Sequence, residues 1–511
     1  MADDSGSLFR VVAKEGTFVF VGRMFELGIS FVGAAVLANI FESGEYGALM
    51  LGFSIVGMVS QFVVLGLDSA IGRYLPRYED AGRRRSVLIT AYRVAVPIAV
   101  LVGMATAFGA DWLATAVFQS PEIAPILRIF GLAIPFAAVV HLSIGAMQGT
   151  KQALHKSIVE SVTLPGTRVT LALVAVAFGG GVVGATYGYA LSFVIAGAVG
   201  TYYVVKNTSL IADADVKPMY TELLRFSIPL VLTAIMARIL ADVDTIILGI
   251  ERTPSDVGIY RVAYPIAQLL QIGLSSATFI LIPVFSELDS DEQGERMRRV
   301  YQVVTKWIVI GTLPLFIVVF LFPERVISLT FGAKYVAGAT ALSVLAVGFF
   351  LDGFIGPNSV VLTAIGRTRE VAYDHVAGAL LNVVLNLWLI PQYGVLGAAV
   401  ATTISYTVMN GLYTVQMYRA TGIQPITGAL MRPFVAAAVA MAIIYTLVTE
   451  FLPTNVLVLG TMMAAYLILY FVIVVRFGAI EQEEVRLVQD FEDAYGIDLG
   501  WIKSLTKRLM R

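Results

Sequence analysis

Three short stretches place ionisable side chains among apolar neighbours. "FVGRMFELG" (residues 20–28) carries Arg23 and Glu26, "LPGTRVTLAL" (164–173) carries Arg168, and "AIMARILADVDTIILGI" (234–250) carries Arg238, Asp242 and Asp244. On a helix, Arg23 and Glu26 are one turn apart, as are Arg238 and Asp242, so each pair shares a face and can neutralise itself. Arg168 has no acidic residue one turn away on its own helix, and it follows Pro165 and Gly166, which can open the backbone ladder. A guanidinium stays charged, and its planar fork of donors suits phosphate oxygens. The chemistry these residues could do is therefore anion recognition. Arg168, Arg238 and Arg23 are the candidate substrate-binding residues, with Glu26 and Asp242 beside them. The competing reading is structural: ion pairs that hold neighbouring helices together, with Arg168 bonded to Glu26 or Asp352.

The weight given to these charges depends on the solvent around them. The chain has 511 residues, is 58% hydrophobic and only 14% charged, and its mean hydropathy is +0.82. Soluble domains are about 45–50% apolar and about 25% charged, so this composition marks an all-α polytopic membrane protein. The absence of cysteine excludes disulfides, thiolate metal sites and cysteine nucleophiles, and three histidines leave little for a metal site. No GxxxxGK[ST] loop or HExxH motif is present, and no soluble stretch long enough for a catalytic domain interrupts the apolar segments. Neither an enzyme nor a nucleic-acid binder is expected, and no cofactor.

A spanning helix needs about 20 mostly apolar residues. By that criterion the chain has about fourteen spans, near 15–38, 46–70, 86–109, 124–147, 157–179, 183–205, 223–249, 257–283, 301–322, 338–362, 371–391, 394–416, 431–449 and 455–475. The first, which contains Arg23 and Glu26, reads as a retained span and not a cleaved leader. Of the 35 Lys and Arg, twenty-five fall at the N-terminus, in the even-numbered connections or in the tail, counting Arg225 and Arg432 at the very ends of their spans. Only Arg252, Arg325 and Lys334 occupy the odd-numbered connections. The positive-inside rule then places both termini in the cytoplasm of a cell-membrane protein. After Gly500, "WIKSLTKRLMR" reads either as an amphipathic helix on an anionic leaflet or as a solvated tail.

The spans repeat. "GVVGATYGYALSF" from Gly181 aligns with "GVLGAAVATTISY" from Gly394, Gly47 with Gly258, Gly149 with Gly366, and Pro76 with Pro283. Six spans separate the copies, so the halves share one orientation and enclose a cavity between two parallel-repeat six-helix bundles. The expected organisation is an N-terminal bundle at 1–205, a cytoplasmic linker at 206–222 and a C-terminal bundle at 223–420. Two extra helices at 421–476 and a cytoplasmic tail at 477–511 complete it.

Depth separates informative charges from trivial ones. A charge at the bilayer centre costs roughly 2.5–3.5 kcal/mol on insertion scales, whereas one near an end reaches the interface. At 1.5 Å per residue, Arg23 lies about 12 Å deep, Arg168 about 16 Å, Arg238 about 22 Å and Arg93 about 10 Å. Arg128, Arg261 and Lys306 are close enough to an interface to reach it, and Asp244 falls at the outer rim. Arg93, Asp352, Asn382 and Asn386 are secondary candidates. With Asn358, the last three could hold a cation or sugar hydroxyls, or simply bond neighbouring helices. His141 could take a proton. Prolines such as Pro97, Pro135, Pro165, Pro229, Pro265 and Pro314 suggest bent or broken helices.

Four segments resemble polysaccharide-export flippases: "DVDTIILGIERTPSDVGIYRVAYPI" (242–266), "YLPRYEDAG" (74–82), "IPVFSELDSD" (282–291) and "IPQYGVLGAAVATTISY" (390–406). On these the chain is similar to the multidrug/oligosaccharidyl-lipid/polysaccharide exporter superfamily, in its O-antigen and teichoic-acid exporter branch. The resemblance implies two six-helix bundles and alternating access driven by a coupling cation, H+ or Na+, or by membrane potential. It also implies a lipid-phosphate- or lipid-diphosphate-linked oligosaccharide as cargo, with membrane lipids and glycosyltransferases of the same pathway as partners. In that family basic residues of spans one and seven face the cavity, matching Arg23 and Arg238 here. Two alternatives remain: a cation-coupled multidrug exporter, which would need Asp242 or Glu26 as a coupling acid, and a scaffold for glycan synthesis.

Overall fold

The structure is a computed structural model. It describes residues 2–208, 210–211, 215–290 and 293–425, scattered helical positions between 428 and 441, and residues 464–470 and 472–474. For residues 2–20, 229, 232, 233, 279 and 280 it describes the backbone alone. The thirteenth span falls mostly outside the described residues, as does the start of the fourteenth. The tail at 477–511, with its amphipathic segment, lies wholly outside them.

Everything regular in the described residues is helical. In chain order the longer helices are α1 (Ala2–Ile40), α2 (Ser43–Val64), α3 (Leu67–Tyr74), α4 (Ala81–Phe108), α5 (Ala124–Gly149), α6 (Leu164–Ala177), α7 (Gly181–Asn207) and α8 (Tyr220–Glu251). They continue with α9 (Pro254–Gln268), α10 (Ile272–Ser290), α11 (Gly294–Leu321), α12 (Ala339–Ile355) and α13 (Thr368–Thr421). Among the described residues nine helices are long and apolar enough to cross a membrane, or ten if a pair bent by 43° between Pro254 and Ser290 counts as one span. The 54-residue α13 is two helices joined at Gly394, whose φ of 55° and ψ of −128° are not helical. Gly181, the residue aligned with Gly394 in the repeat, opens α7 with a φ of 55° as well. Glycine adopts this left-handed region without a Cβ clash, so both marginal span divisions are real breaks.

Other breaks have local causes. Leu65 and Gly66, at φ 53° and 66°, end α2 and turn the chain into α3. A π-helical turn at Ile158–Thr163, closed by the Leu164 N–H on the Val159 carbonyl, precedes Pro165. It absorbs the missing proline donor without ending the span. Asp80 caps α4 by accepting the Arg83 N–H at 2.8 Å. The segment before α8 lies along that same end of α4: the Lys217 N–H donates to Ser86 Oγ at 2.9 Å and the Met219 N–H to Thr90 Oγ1 at 3.1 Å.

The chain packs as two compact units. Unit 1 comprises residues 1–265, 330–341 and 375–405, and unit 2 comprises 266–329, 342–374 and 406–511. In unit 1, α2 is the hub. Its Gly52 lies against Phe130 of α5, its Phe53 meets Tyr189 of α7 edge-on at 5.4 Å, and its Gly47 touches α9. That last crossing is self-complementary. A Cβ on Gly47 would fall 1.7 Å from the Pro254 carbonyl oxygen, and one on Gly258 2.2 Å from the Ser43 oxygen. Ser43 and Ser255 share a 2.7 Å hydrogen bond beside it. In unit 2, an aromatic cluster of Phe316, Phe350 and Phe434 fills the core. Tyr301 Oη donates to the Ile355 carbonyl at 2.6 Å, and Asn358 Nδ2 to the Asn410 carbonyl at 3.1 Å.

A side chain at the Gly47 crossing has nowhere to go, because what it meets is backbone. Overpacking of this kind costs about 1–3 kcal/mol. Gly47→Leu should therefore lower the melting temperature in detergent by several degrees, whereas Gly411→Ala, where nothing among the described residues lies within 4 Å of a new Cβ, should leave it unchanged. Equal melting of the two variants would show that the α2–α9 contact is not tight.

Candidate functional site

The site grows from α2, whose consecutive residues Phe53 and Ser54 and nearby Gly57 each receive one charged group of unit 1. Arg168, on α6 just after the π turn, lays its guanidinium over the Phe53 ring at 4.8 Å and the Tyr189 ring at 5.5 Å. Its Nη2 donates to Ser30 Oγ of α1 at 2.9 Å. Glu26 does not pair with it, and among the described residues of unit 1 it enters no ion pair. Cation–π contacts of this sort are worth about 0.5–2 kcal/mol, rising as water is excluded. They stabilise the charge without neutralising it.

The α8 residues form the second part. Arg238 lies against Gly57, where a Cβ would sit 1.9 Å from its Nη2. Its Nε is 2.8 Å from Asp242 Oδ2, yet it makes no directed hydrogen bond, so this contact is ionic in character. Asp242 is also held by Arg261 of α9, whose Nη1 donates to Oδ1 at 3.3 Å, and by Ser54 Oγ at 3.1 Å. One buried carboxylate thus holds two guanidiniums. The expectation that Arg261 reaches an interface is wrong. Its side chain is only 15% exposed, because α9 presents it inward to Asp242. Lys306 is likewise buried on α11 and does not extend to a surface. Arg128, in contrast, is exposed and pairs with Asp111 at 2.8 Å, at one end of a groove of about 330 Å³ between α5 and α7.

Arg23 and Glu26 form the expected one-to-one pair at 2.9 Å, and Ser161 Oγ donates to the other Glu26 oxygen at 3.3 Å. Arg93 is exposed on α4, away from these contacts. His141 Nε2 lies 3.5 Å from Ser60 Oγ.

Asp244 is the larger correction. It is not a solvated position: it has no exposed surface. Tyr260 Oη donates to its Oδ2, which also receives Thr402 Oγ1 at 3.3 Å, while the Thr245 N–H donates to Oδ1 at 2.6 Å. Asn382 and Asn386 extend the network: Asn386 Nδ2 donates to Asn382 Oδ1 at 3.0 Å, and Asn382 Nδ2 reaches Thr402 Oγ1 at 3.5 Å. Asn386 Oδ1 is buried without a hydrogen-bond partner among the described residues. Asp352 belongs to unit 2 and accepts from Gln271 Nε2 at 2.6 Å. Sequence reasoning could have found the Asp244 network from one signal, since Asp244, Tyr260, Asn382 and Thr402 are all polar residues in apolar stretches.

Comparison with known proteins agrees with this architecture. The chain matches the family described as polysaccharide biosynthesis protein over residues 12–289, and the MatE family over 229–388. It is 24% identical over 412 residues to the probable low-salt glycan biosynthesis flippase Agl15 of Haloferax volcanii, covering 79% of this chain and 82% of that one. It is 23% identical to the succinoglycan biosynthesis transport protein ExoT of Rhizobium meliloti, covering 76% and 77%. Among solved structures, the lipid II flippase MurJ in an inward closed conformation aligns with a TM-score of 0.72 at 14% identity, over 92% of this chain and 98% of that one. An inward-facing multidrug resistance MATE transporter aligns with 0.66 at 17%, over 78% and 94%. The helices, their breaks and these matches together make the chain a multi-pass α-helical membrane protein that belongs to the polysaccharide biosynthesis protein family.

Proposed function

We propose that this chain is a flippase that carries a lipid-linked oligosaccharide, joined through phosphate or diphosphate, from the cytoplasmic to the outer leaflet by alternating access. The observation that carries this reading is how the arginines of unit 1 are partnered: among the described residues Arg168 enters no ion pair, and Arg238 and Arg261 share the one carboxylate of Asp242. A surplus cation in an apolar span costs several kcal/mol unless something anionic offsets it. A phosphate-linked cargo supplies that anion. The lipid tail stays in the bilayer, and the arginines replace water around the phosphate as the glycan crosses. The named relatives Agl15 and ExoT, and the fold neighbour MurJ, support the same class of cargo. Both termini lie in the cytoplasm of a cell membrane, where glycosyltransferases of the pathway would deliver the cargo.

The MatE match over 229–388 favours a second reading, a cation-coupled multidrug exporter. A cationic amphiphile would be repelled by the same arginines, so the flippase reading is the stronger. Coupling to H+ or Na+ fits the Asp244 network best. There, buried carboxylate, hydroxyl and amide oxygens converge, and Asn386 Oδ1 has no hydrogen-bond partner among the described residues.

In vesicles reconstituted with the full chain and a fluorescent polyprenyl-diphosphate-linked sugar, Arg168→Ala and Arg238→Ala should each slow flipping about 10- to 100-fold. A charge-assisted contact is worth about 1.5–3 kcal/mol, and 1.4 kcal/mol is a factor of ten. Arg168→Lys should recover only part, because an ammonium lacks the planar fork. Normal flipping by all three variants would refute the arginine assignment. Efflux of cationic drugs abolished by Asp242→Asn, with glycan-lipid flipping intact, would favour the exporter instead.

Asp244→Asn should abolish the acceleration produced by an imposed Na+ or proton gradient while leaving flipping down the cargo's own gradient. A gradient response equal to that of the unaltered protein would place coupling elsewhere.

A further inference from the structure

We infer that Arg238 and Arg261 form one anion site and that Asp242 is its resident counter-anion, which the cargo phosphate displaces from the two guanidiniums. The identity of that cargo rests on the flippase reading above. The site itself rests on geometry.

Two guanidiniums offer ten N–H donors, whereas a carboxylate has about four lone-pair positions. Asp242 cannot saturate them, and it does not. Its Oδ1 takes Arg261 Nη1 and Ser54 Oγ, its Oδ2 faces Arg238 Nε off the donor axis, and the Nε groups of both arginines lack a directed acceptor. Exposure is arranged the same way. The Arg238 side chain is 34% exposed and the Asp242 side chain 6%, so the open side of the cluster is cationic. The missing Cβ at Gly57 fixes where the Arg238 guanidinium lies. The Arg23–Glu26 pair shows the contrast: one arginine faces one carboxylate, whose second oxygen is met by Ser161. That pair matches one charge with one, whereas in the Asp242 cluster two guanidiniums share a single carboxylate.

A carrier must release what it binds. With Asp242 in place, an incoming phosphate competes with a carboxylate already at the site, and on departure the carboxylate retakes the guanidiniums. Neither the empty nor the loaded state then leaves two arginines bare, a state that is strongly penalised in a low-dielectric setting. Arg261 is a direct contact of the anion in this scheme, and Asp242 positions both arginines and sets how tightly they hold.

The test pairs binding with turnover, on the full chain purified in detergent and then in vesicles. Binding is read from the anisotropy of a fluorescent farnesyl diphosphate. Asp242→Asn should lower Kd about tenfold and slow flipping by a similar factor, a split that a merely structural role would not produce. Arg261→Gln should raise Kd about tenfold or more, and Asp242→Glu should stay near the unaltered protein in both. Should Asp242→Asn fail to fold, the double variant Arg261→Gln/Asp242→Asn, with its charge balanced, is compared with Arg261→Gln alone and should bind more tightly. Folded Asp242→Asn that binds no more tightly than the unaltered protein, or a double variant that binds no more tightly than Arg261→Gln, overturns the counter-anion role. If the unaltered protein binds no farnesyl diphosphate, the flippase reading itself fails. If it binds and Asp242→Asn brings no gain, only this inference does.

Discussion

A guanidinium in hydrocarbon keeps its proton and so must find its compensation in the surrounding structure. Unit 1 answers this constraint in three different ways within a few helices. Arg23 is met by one carboxylate, Arg168 by two aromatic faces and a serine, and Arg238 with Arg261 by a shared aspartate. Only the first is close to electrically neutral. Among the described residues Arg168 enters no ion pair, and Arg238 and Arg261 have one carboxylate between them, an arrangement that leaves donors for a further anion.

Helix α2 makes the arrangement possible because it carries almost no bulk where others must approach. Gly47, Gly52 and Gly57 meet α9, α5 and Arg238 respectively, and a Cβ at any of them would lie within 3 Å of a neighbouring atom. Between these contacts, Phe53 and Ser54 point to different clusters, the aromatic seat of Arg168 and the Asp242 carboxylate. The two cationic groups are thus linked through one rigid helix. A shift of α2 would alter both together, so packing and electrostatics are not separable here.

Much of this was legible in the sequence, and the failures share a cause. Among the described residues, the nine helices long enough to cross a membrane lie where hydropathy puts spans, because in lipid every backbone polar group must bond within its own helix. The weak divisions at "GGGVV" and "IPQYG" were readable because glycine punctuates there, and the structure puts Gly181 and Gly394 at the same φ. The Arg238–Asp242 and Arg23–Glu26 pairs were readable because they are one turn apart. Arg261 and Asp244 were misjudged by depth along a single helix. Their partners, Asp242 for Arg261 and Tyr260 and Thr402 for Asp244, lie on other helices. Depth in a span says how costly a charge is, not which neighbour compensates it.

Asp242 and Asp244 sharpen that point, since they are two residues apart on α8 and yet occupy opposite environments. Two residues turn a helix by about 200°, so the two carboxylates point to nearly opposite sides. One faces two guanidiniums and a serine hydroxyl. The other faces neutral hydroxyl and backbone donors, with two asparagines behind them. A carboxylate among guanidiniums is tied to whatever anion they also attract. A carboxylate among hydroxyls and amides has no cation from the protein in direct contact, and so suits a mobile one. Cargo and coupling ion would then act on two sides of the same helical turn, and movement of α8 in response to either would be felt by the other without any longer path between them.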